Sequence, residues 1–268
     1  MYKLIALDMD GTLLNNQKEI SEANIKAIKE ARDKGVKVIL ATGRPKDGVR
    51  HYLEKLEMLS GDEYVVSYNG GLVQHCGTGE IISKITLQVS DYEELFQLSK
   101  RLGCHIQALT ESESITPKSN GLIKEHAQIN DIPLIEMPVE EVDKNTIIAK
   151  VMFVDNEEVL DDVISNMPEN LKDKYTIIRS TPFYLEFLNK DVNKGIGVSK
   201  VAERLKISKD EVICMGDADN DFHMLQYAGL SVAMGNAFDS IKNMADYVTL
   251  SNEESGVAHA IEKFVLKA

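Results

Sequence analysis

The sequence predicts an α/β protein: a Rossmann-like, doubly wound parallel sheet with an inserted α+β cap domain. At both ends of the chain, apolar strand-like runs alternate with amphipathic helical segments, which is typical of parallel sheets covered by helices. This alternation breaks between about residues 84 and 188, where strand-like runs dominate. We therefore predict a discontinuous core domain over 1–83 and 189–268, and an inserted domain over 84–188.

The first half of the core domain contains three predicted strands and a hairpin. Residues 4–7 form a continuously apolar run, as expected of a buried parallel strand. Ser21 is suited to cap the helix that follows, and Gly35 is suited to end it. The runs VKVIL and YVVS predict the second and third strands, and LVQHCGTGEIIS resembles a hairpin.

The insertion and the returning core domain have their own boundary signals. Within the insertion, Ser90 and Glu93 predict a capping box for a helix that ends at Gly103. After the insertion, strands and helices alternate again. The predicted strands are VICMG, LSVAM and YVTL, and the predicted helices cover 193–205, 219–228, 237–244 and a segment from about 256.

Composition narrows the possible classes of protein. The 268 residues are 43% apolar and 27% charged, which is typical of a globular protein. No apolar run approaches the ~20 residues needed to span a bilayer, and the N-terminus lacks a secretory signal pattern. The three cysteines show no CxxC spacing, so we expect a cytoplasmic protein. The net charge of −13 argues against binding nucleic acid or anionic membranes. Oligomeric state is not readable from the sequence.

Polar segments follow four of the predicted parallel strands. They are DMDGT after the first strand, ATGRP after the second, YNGG after the third and GDADND after VICM. In open parallel sheets, ligand sites lie at the carboxyl ends of the strands, so these distant segments are expected to meet at one edge. The first and last segments would bring together Asp8, Asp10, Asp217 and Asp221.

Such a group of carboxylates predicts a metal ion. Asp8 and Asp10 can face the same way, and they would repel each other unless a cation or a proton lay between them. Because no His or Cys ligand pattern is present, a hard divalent cation, most simply Mg²⁺, fits these oxygen donors. Lys194 at a helix start, together with Thr42 and Gly43 in a tight turn, could hold an anion beside the metal. The anion that this arrangement suits is a phosphoryl group.

These motifs resemble those of the haloacid dehalogenase-like superfamily of phosphohydrolases. DMDGT, Thr42, Lys194 and GDADND occur in the order of the superfamily's four motifs, and the resemblance covers essentially the whole chain. The position of the insertion and the segments PFYLEFLNKDVNKGIG, YAGLSVAMGNA and SNEESGVAHAIEKFVL resemble the Cof-type sugar phosphatases. The resemblance implies an Mg²⁺-dependent phosphatase that acts on small phosphorylated metabolites, mainly sugar phosphates, with specificity residing in the cap domain.

The resemblance also implies a role for each motif residue. Asp8 would be the nucleophile that forms an aspartyl-phosphate, and Asp10 the general acid and then the general base. Asp8, the Asp10 backbone carbonyl and Asp217 would bind Mg²⁺, and Asp221 would position waters bound to the metal. Thr42, Gly43, Lys194 and Asn220 would hold the phosphoryl group, and Asn69 at the end of the third strand would line the site.

Two other functions remain open at this stage. A phosphosugar mutase of the same superfamily would share the first motif and the cap type. A receiver domain phosphorylated on aspartate would be a non-enzymatic alternative, although such modules are about the size of one small domain and lack a large insertion. The second carboxylate, Asp10, favours release of the phosphoryl group to water and so favours hydrolysis.

Overall fold

The computed structural model describes residues 1–59 and 61–267 and divides into two compact units. The first unit comprises Met1–Gly43, Arg50–Lys84 and Asn193–Ala268, and the second comprises Arg44–Val49 and Ile85–Val192. The second unit therefore takes in residues 189–192 and the short segment 44–49, which the sequence placed in the core domain. Gly48 of this segment lies against Asn130, with the Cβ position of the glycine 3.3 Å from the Asn130 Cα atom.

The described strands are β1 (Leu4–Leu7), β2 (Lys37–Ala41), β3 (Tyr64–Ser67), β4 (Leu72–His75), β5 (Ile81–Lys84), β6 (Ile106–Leu109), β7 (Ser114–Thr116), β8 (Leu134–Glu136), β9 (Lys150–Val154), β10 (Tyr175–Thr181), β11 (Tyr184–Asn189), β12 (Val212–Gly216), β13 (Leu230–Ala233) and β14 (Tyr247–Val248). The described α-helices are α1 (Glu22–Asp33), α2 (Arg50–Lys55), α3 (Val89–Leu102), α4 (Gly121–Ile129), α5 (Glu157–Asn166), α6 (Leu171–Lys174), α7 (Lys194–Leu205), α8 (Phe222–Tyr227), α9 (Asp239–Met244) and α10 (Gly256–Ile261).

The first unit is built on a sheet whose described strands follow the order β14-β13-β12-β1-β2-β3-β4-β5. Pairing is parallel from β14 to β3, and β4 and β5 add antiparallel strands at one edge. The predicted α/β class is confirmed. Strand β1 is fully buried, as its continuous apolar run predicts. The chain moves outward through β2 and β3 on one side of β1 and through β12, β13 and β14 on the other, so the topological switch point lies between β1 and β12.

The second unit has a mainly antiparallel sheet in the order β10-β11-β9-β6-β7-β8, in which only the described pair β7 and β8 is parallel. Its apolar core includes Tyr92 and Leu95 of α3 and Phe153 and Phe187 of the sheet. The other face of this sheet carries a buried ion pair, between Lys150 Nζ and Glu186 Oε2 at 2.9 Å.

Three predicted helix starts are wrong, including that of α9, which begins at Asp239 rather than at 237. Helix α3 begins at Val89, and its start is closed by Gln88 N–H donating to Asp91 Oδ2 at 2.8 Å, whereas Ser90 and Glu93 do not form the predicted box. The helix begins early because Val89 is buried in the apolar core. Its predicted end is confirmed, since Gly103 adopts a left-handed φ of 74°.

Helix α8 begins at Phe222 rather than at 219. The residues before it, Asp219–Asp221, form a 3₁₀ turn. The Asp221 carboxylate accepts hydrogen bonds from the backbone N–H groups of Asp217 and Ala218, and these contacts keep the turn out of the α-helix.

No described helix has the length and apolar character needed to cross a bilayer.

Candidate active site

The candidate site lies at the carboxyl ends of β1 and β12, beside the switch point of the sheet. Asp8 follows β1, and its backbone N–H donates to the carbonyl of Met215 in β12 at 3.0 Å. Asp217 follows β12 directly. The parallel register of the two strands therefore brings together carboxylates that are separated by more than 200 residues of chain.

A buried lysine joins two of these carboxylates. Lys194 Nζ lies 2.5 Å from Asp8 Oδ1 and 2.6 Å from Asp221 Oδ1. The side chains of Lys194 and Asp221 are fully buried, and that of Asp8 is 8% exposed. Lys194 is the first residue of α7, whose N-cap Asn193 accepts a hydrogen bond from Ile196 N–H at 2.9 Å. The cap fixes the start of the helix and thereby the origin of the lysine side chain.

Three carboxylates form the acidic part of the site. Carboxylate oxygens of Asp8, Asp217 and Asp221 lie within 4.8 Å of one another. Asp217 is oriented by Thr12, whose hydroxyl donates to Asp217 Oδ1 at 2.7 Å. Asp221 Oδ2 accepts from the N–H groups of Asp217 at 2.9 Å and Ala218 at 3.1 Å.

The charges of this cluster are unbalanced, and its pKa values reflect the imbalance. Burial, reinforced by the negative charge of Asp221, raises the pKa of Asp8 well above its ordinary value. Burial also raises the pKa of Asp217, although the hydrogen bond from Thr12 opposes the shift. Burial alone would lower the pKa of Lys194, but the charges of Asp221 and Asp8 outweigh it and leave that pKa raised. With all groups ionised, the cluster has an excess of two negative charges.

The donor set fits a hard divalent cation. All three clustered side chains offer carboxylate oxygens, and a 2+ ion would balance the excess charge. The Asp10 carboxylate is not part of this cluster in the described chain. It is 40% exposed and forms an ion pair with Lys18.

The other predicted site residues lie at the ends of β2 and β3 and after β12. Thr42 is buried, and its carbonyl accepts from Asn69 N–H at 2.8 Å. The Cβ position of Gly43 lies 3.3 Å from Asn69 Nδ2, so a larger residue would crowd that amide. Asn220 Nδ2 donates to Asn69 Oδ1 at 3.4 Å. Asn69 thus connects the second and fourth predicted segments.

Tyr68 and Asn69 form a strained turn after β3. Their φ angles are 52° and 56°, in the left-handed region that residues other than glycine seldom adopt. Strained residues of this kind tend to occur at functional sites. The turn supports the position of the Asn69 side chain beside Gly43 and Asn220.

Two asparagines that the sequence analysis did not single out donate hydrogen bonds to backbone carbonyls of the DMDGT loop and of the residues just after it. Asn236 Nδ2 donates to the Gly11 carbonyl at 2.8 Å, and Asn252 Nδ2 donates to the Leu14 carbonyl at 2.9 Å. The Asn252 backbone N–H donates to Asn236 Oδ1 at 2.9 Å, which joins the two contacts. Both residues lie in segments whose resemblance to known phosphatases is visible in the sequence, but their role depends on long-range contacts.

Replacing Gly11 by Ala is expected to disturb the candidate cation site. Gly11 has a φ of +89°, and an added Cβ would lie 2.8 Å from the Asp217 carboxyl carbon. The alanine therefore strains the backbone and displaces a carboxylate, which we expect to cost about 1–3 kcal/mol of unfolding free energy. Urea denaturation and Mg²⁺ titration of Gly11→Ala measure the two effects. Gly103→Ala is a suitable control, because it strains a left-handed glycine with no atom within 4 Å of the added Cβ. Equal Mg²⁺ affinity in the Gly11 variant and wild type would contradict the expectation.

Comparison with known proteins identifies the family of the chain. The sequence profile of the family described as haloacid dehalogenase-like hydrolase matches residues 5–261. The chain belongs to this family of enzymes, and the predicted family is confirmed.

Individual relatives narrow the class further. YxeH of Bacillus subtilis, which has a provisional phosphatase name, is 42% identical over 99% of each chain. The 5-amino-6-(5-phospho-D-ribitylamino)uracil phosphatase YcsE of Bacillus subtilis is 33% identical over 98% of this chain and 96% of its own. Among solved structures, the HAD subclass IIB sugar phosphatase BT4131 matches with a TM-score of 0.79 and 26% identity, over 98% of each chain. These three relatives are named as phosphatases, and the predicted class of phosphoric monoester hydrolase is confirmed at this level.

Proposed function

We propose that the protein is an Mg²⁺-dependent phosphatase that hydrolyses phosphate monoesters of small metabolites, foremost sugar phosphates, through an aspartyl-phosphate on Asp8. The observation that carries this proposal is the buried contact of Lys194 with Asp8 and Asp221 beside Asp217. A nucleophilic carboxylate, a fixed ammonium and an oxygen-rich cation site are the parts that phosphoryl transfer requires.

In this function, Asp8, Asp217 and the Asp10 backbone carbonyl would hold Mg²⁺, and Asp221 would fix the waters around it. The ion, when bound, neutralises charge on the phosphoryl oxygens. Asp221 also anchors Lys194, as its contact at 2.6 Å supports. Lys194 therefore has two tasks, since it keeps the Asp8 carboxylate in place and supplies positive charge to the phosphoryl group.

The reaction proceeds in two steps. An Asp8 carboxylate oxygen attacks phosphorus, the bond from phosphorus to the leaving oxygen breaks, and Asp10 gives its proton to that oxygen, which departs as the alcohol. Water then attacks the phosphorus of the aspartyl-phosphate and gives a proton to Asp10, and the bond from phosphorus to the Asp8 oxygen breaks, which releases phosphate and the Asp8 carboxylate. Thr42, Gly43 and Asn220 hold the phosphoryl group during both steps through hydroxyl, backbone N–H and amide donors. The link of Asn69 to Gly43 and Asn220 supports including it among these residues.

The relatives support a phosphorylated sugar or sugar alcohol as substrate. BT4131 is a sugar phosphatase by name, and the name of YcsE specifies a phosphorylated ribityl chain. Selectivity among such substrates would reside in the inserted unit. The net charge of −13 disfavours nucleic acid and anionic membranes as partners. The free cysteines Cys76, Cys104 and Cys214 are consistent with action in the cytoplasm.

Removing divalent metal is expected to abolish activity. Without a cation, the excess negative charge of the cluster would repel an incoming phosphate ester. We expect phosphate release from a panel of sugar and polyol phosphates to disappear in EDTA and to return on addition of Mg²⁺. Undiminished release in EDTA would contradict the proposal.

The same assay separates the hydrolase from a mutase. The hydrolase releases free phosphate without a sugar bisphosphate activator. A mutase would instead convert one sugar monophosphate into another and would require the activator.

A further inference from the structure

A buried ion pair lies on the face of the inserted unit's sheet that is opposite its apolar core. Phe153 of β9 and Phe187 of β11 point into that core, and Lys150 and Glu186 have the opposite parity along the same two strands. The two charged residues are 4% and 6% exposed, and Lys150 Nζ lies 2.9 Å from Glu186 Oε2. Because apolar side chains of similar size often stabilise a protein as well as a buried ion pair does, stability alone does not account for these two residues.

A bulge in the neighbouring strand adds a hydroxyl group to the ion pair. The register of β10 against β11 shifts between Arg179 and Thr181, which leaves Ser180 as the extra residue. Ser180 Oγ donates to Glu186 Oε1 at 2.6 Å. Bulges often lie next to functional sites, where they redirect a side chain. Each carboxylate oxygen of Glu186 accepts from one described side chain and has the capacity to accept from a further donor.

His126 of α4 lies beside the ion pair. The residue is 7% exposed, and its ring packs edge-on against Tyr184 of β11 with the ring centroids 5.2 Å apart. Burial lowers the pKa of His126 to about 4, and the charge of Lys150 adds to this shift while that of Glu186 opposes it. The imidazole is therefore neutral near pH 7.

One nitrogen of this imidazole has no partner in the protein. Asn130 Nδ2 donates to His126 Nε2 at 3.4 Å, which leaves the ring proton on Nδ1. Nδ1 is buried, and it has no hydrogen-bond partner within residues 1–59 and 61–267. A buried donor without an acceptor is costly, so its presence indicates a site that a ligand completes.

The charges of this group select the class of ligand. Lys150 and Glu186 neutralise each other, and His126 is uncharged, so the group has no net attraction for an anion or a cation. The contact with Glu186 uses one of the three N–H donors of the Lys150 ammonium. A hydroxyl group both donates and accepts, so adjacent hydroxyls can accept from Lys150 and His126 and donate to Glu186.

We propose that Lys150, Glu186 and His126 form a binding subsite for adjacent hydroxyl groups of a neutral sugar or polyol, an inference that rests on the proposed function. In the substrate, these hydroxyls belong to the alcohol part of the phosphate ester. The subsite therefore selects among alcohols and takes no part in bond making or bond breaking at phosphorus.

A pair of matched esters tests the subsite. They are the polyol ester ribitol 5-phosphate and n-pentyl phosphate, which has the same number of carbon atoms but no hydroxyl groups. Both leaving groups are primary alkoxides, so the chemical step makes similar demands on the enzyme. We expect wild type to have a higher kcat/KM for ribitol 5-phosphate, because the alkyl chain leaves the buried polar groups without partners.

The double variant Lys150→Met/Glu186→Leu separates a binding role from a structural one. It removes both charges together and leaves no buried charge unpaired, so we expect the thermal unfolding midpoint to stay equal or rise. We expect kcat/KM to fall at least about tenfold for ribitol 5-phosphate and to stay within about twofold of wild type for n-pentyl phosphate.

His126→Phe tests the unpartnered donor by itself. The phenyl ring keeps the packing against Tyr184 and removes the buried N–H, so the unfolding midpoint should not fall. We expect kcat/KM for ribitol 5-phosphate to fall about fivefold, with no comparable change for n-pentyl phosphate.

Lys174→Met is the matched control. Lys174 is a lysine of the same unit whose ion pairs with Asp91 and Glu94 leave its side chain 47% exposed. Both kcat/KM values should remain near those of wild type in this variant.

Three results would overturn the inference. They are equal kcat/KM values for the two esters in wild type, equal losses for both esters in the double variant, and no loss for either. Failure of the proposed function gives a different result, since wild type with Mg²⁺ would then release phosphate from neither ester. A selective loss for ribitol 5-phosphate supports the subsite.

Discussion

Replacing Asp8 by Asn is expected to lower kcat by at least about 10⁴-fold, because the amide cannot attack phosphorus. The Lys194 ammonium contacts two described carboxylates, and Asp8 is the one placed to act as the nucleophile. Asp221 is the other carboxylate bound to that ammonium, but it is fully buried and its second oxygen is held by two backbone N–H groups. Steady-state phosphate release with a sugar phosphate measures the effect. Near-normal turnover of Asp8→Asn would show that the nucleophile is misassigned.

The same substitution is expected to stabilise the metal-free protein. The pKa of Asp8 is raised in the folded protein, so ionisation of this group favours the unfolded chain. The protonated form of Asp8 stabilises the fold fully below pH 3.8, the ordinary pKa of an aspartate. This stabilisation is lost as the pH rises through the raised pKa of the folded protein. An uncharged Asn avoids that loss. Thermal unfolding in EDTA at neutral pH should therefore give a higher midpoint for Asp8→Asn than for wild type, and a lower midpoint would contradict this explanation.

Replacing Lys194 by Met is expected to impair both catalysis and folding. Loss of the ammonium removes a charged donor from the phosphoryl site, which we expect to lower kcat/KM by about 10³-fold. It also leaves Asp8 and Asp221 buried without their common partner, which we expect to cost about 3 kcal/mol of unfolding free energy. Phosphate-release kinetics and urea denaturation measure the two effects.

Lys200→Met is the matched control for this prediction. Lys200 lies on the same helix, and its ion pair with Glu203 at 2.8 Å is largely exposed, so its loss should change the unfolding free energy by less than about 1 kcal/mol. Because Asp8 can take up a proton at low pH, the destabilisation by Lys194→Met should be smaller at pH 5 than at pH 8. Equal stability of the Lys194 variant and wild type at pH 8 would refute the role assigned to the buried ion pairs.

The sequence predicted the parts of this protein that depend on local patterns. The buried run of β1 and the position of DMDGT after it are both visible in the residues themselves. The same holds for Gly103 at the end of α3, because a left-handed helix end strongly favours glycine. Parallel strands bring their carboxyl ends to one edge, so the meeting of Asp8 with Asp217 follows from the fold class.

Features that depend on contacts between distant segments were not predictable in this way. A single lysine in a sequence is usually exposed, and only the packing of α7 against the acidic loops makes Lys194 fully buried. The early start of α3 is decided by burial of Val89, which overrides the capping pattern at Ser90. Nothing in the local pattern indicates that Lys18 adopts a left-handed conformation or reaches Asp10.

The central claim is that Asp8 becomes phosphorylated during turnover, and chemical trapping tests it most directly. Enzyme mixed with a sugar phosphate and Mg²⁺ is quenched in acid and reduced with borohydride, which converts an aspartyl-phosphate to homoserine. Peptide sequencing by mass spectrometry then locates the homoserine. We predict homoserine at position 8 in wild type and none in Asp8→Asn. Homoserine at position 10 or 221, or its absence from wild type during active turnover, would contradict the mechanism.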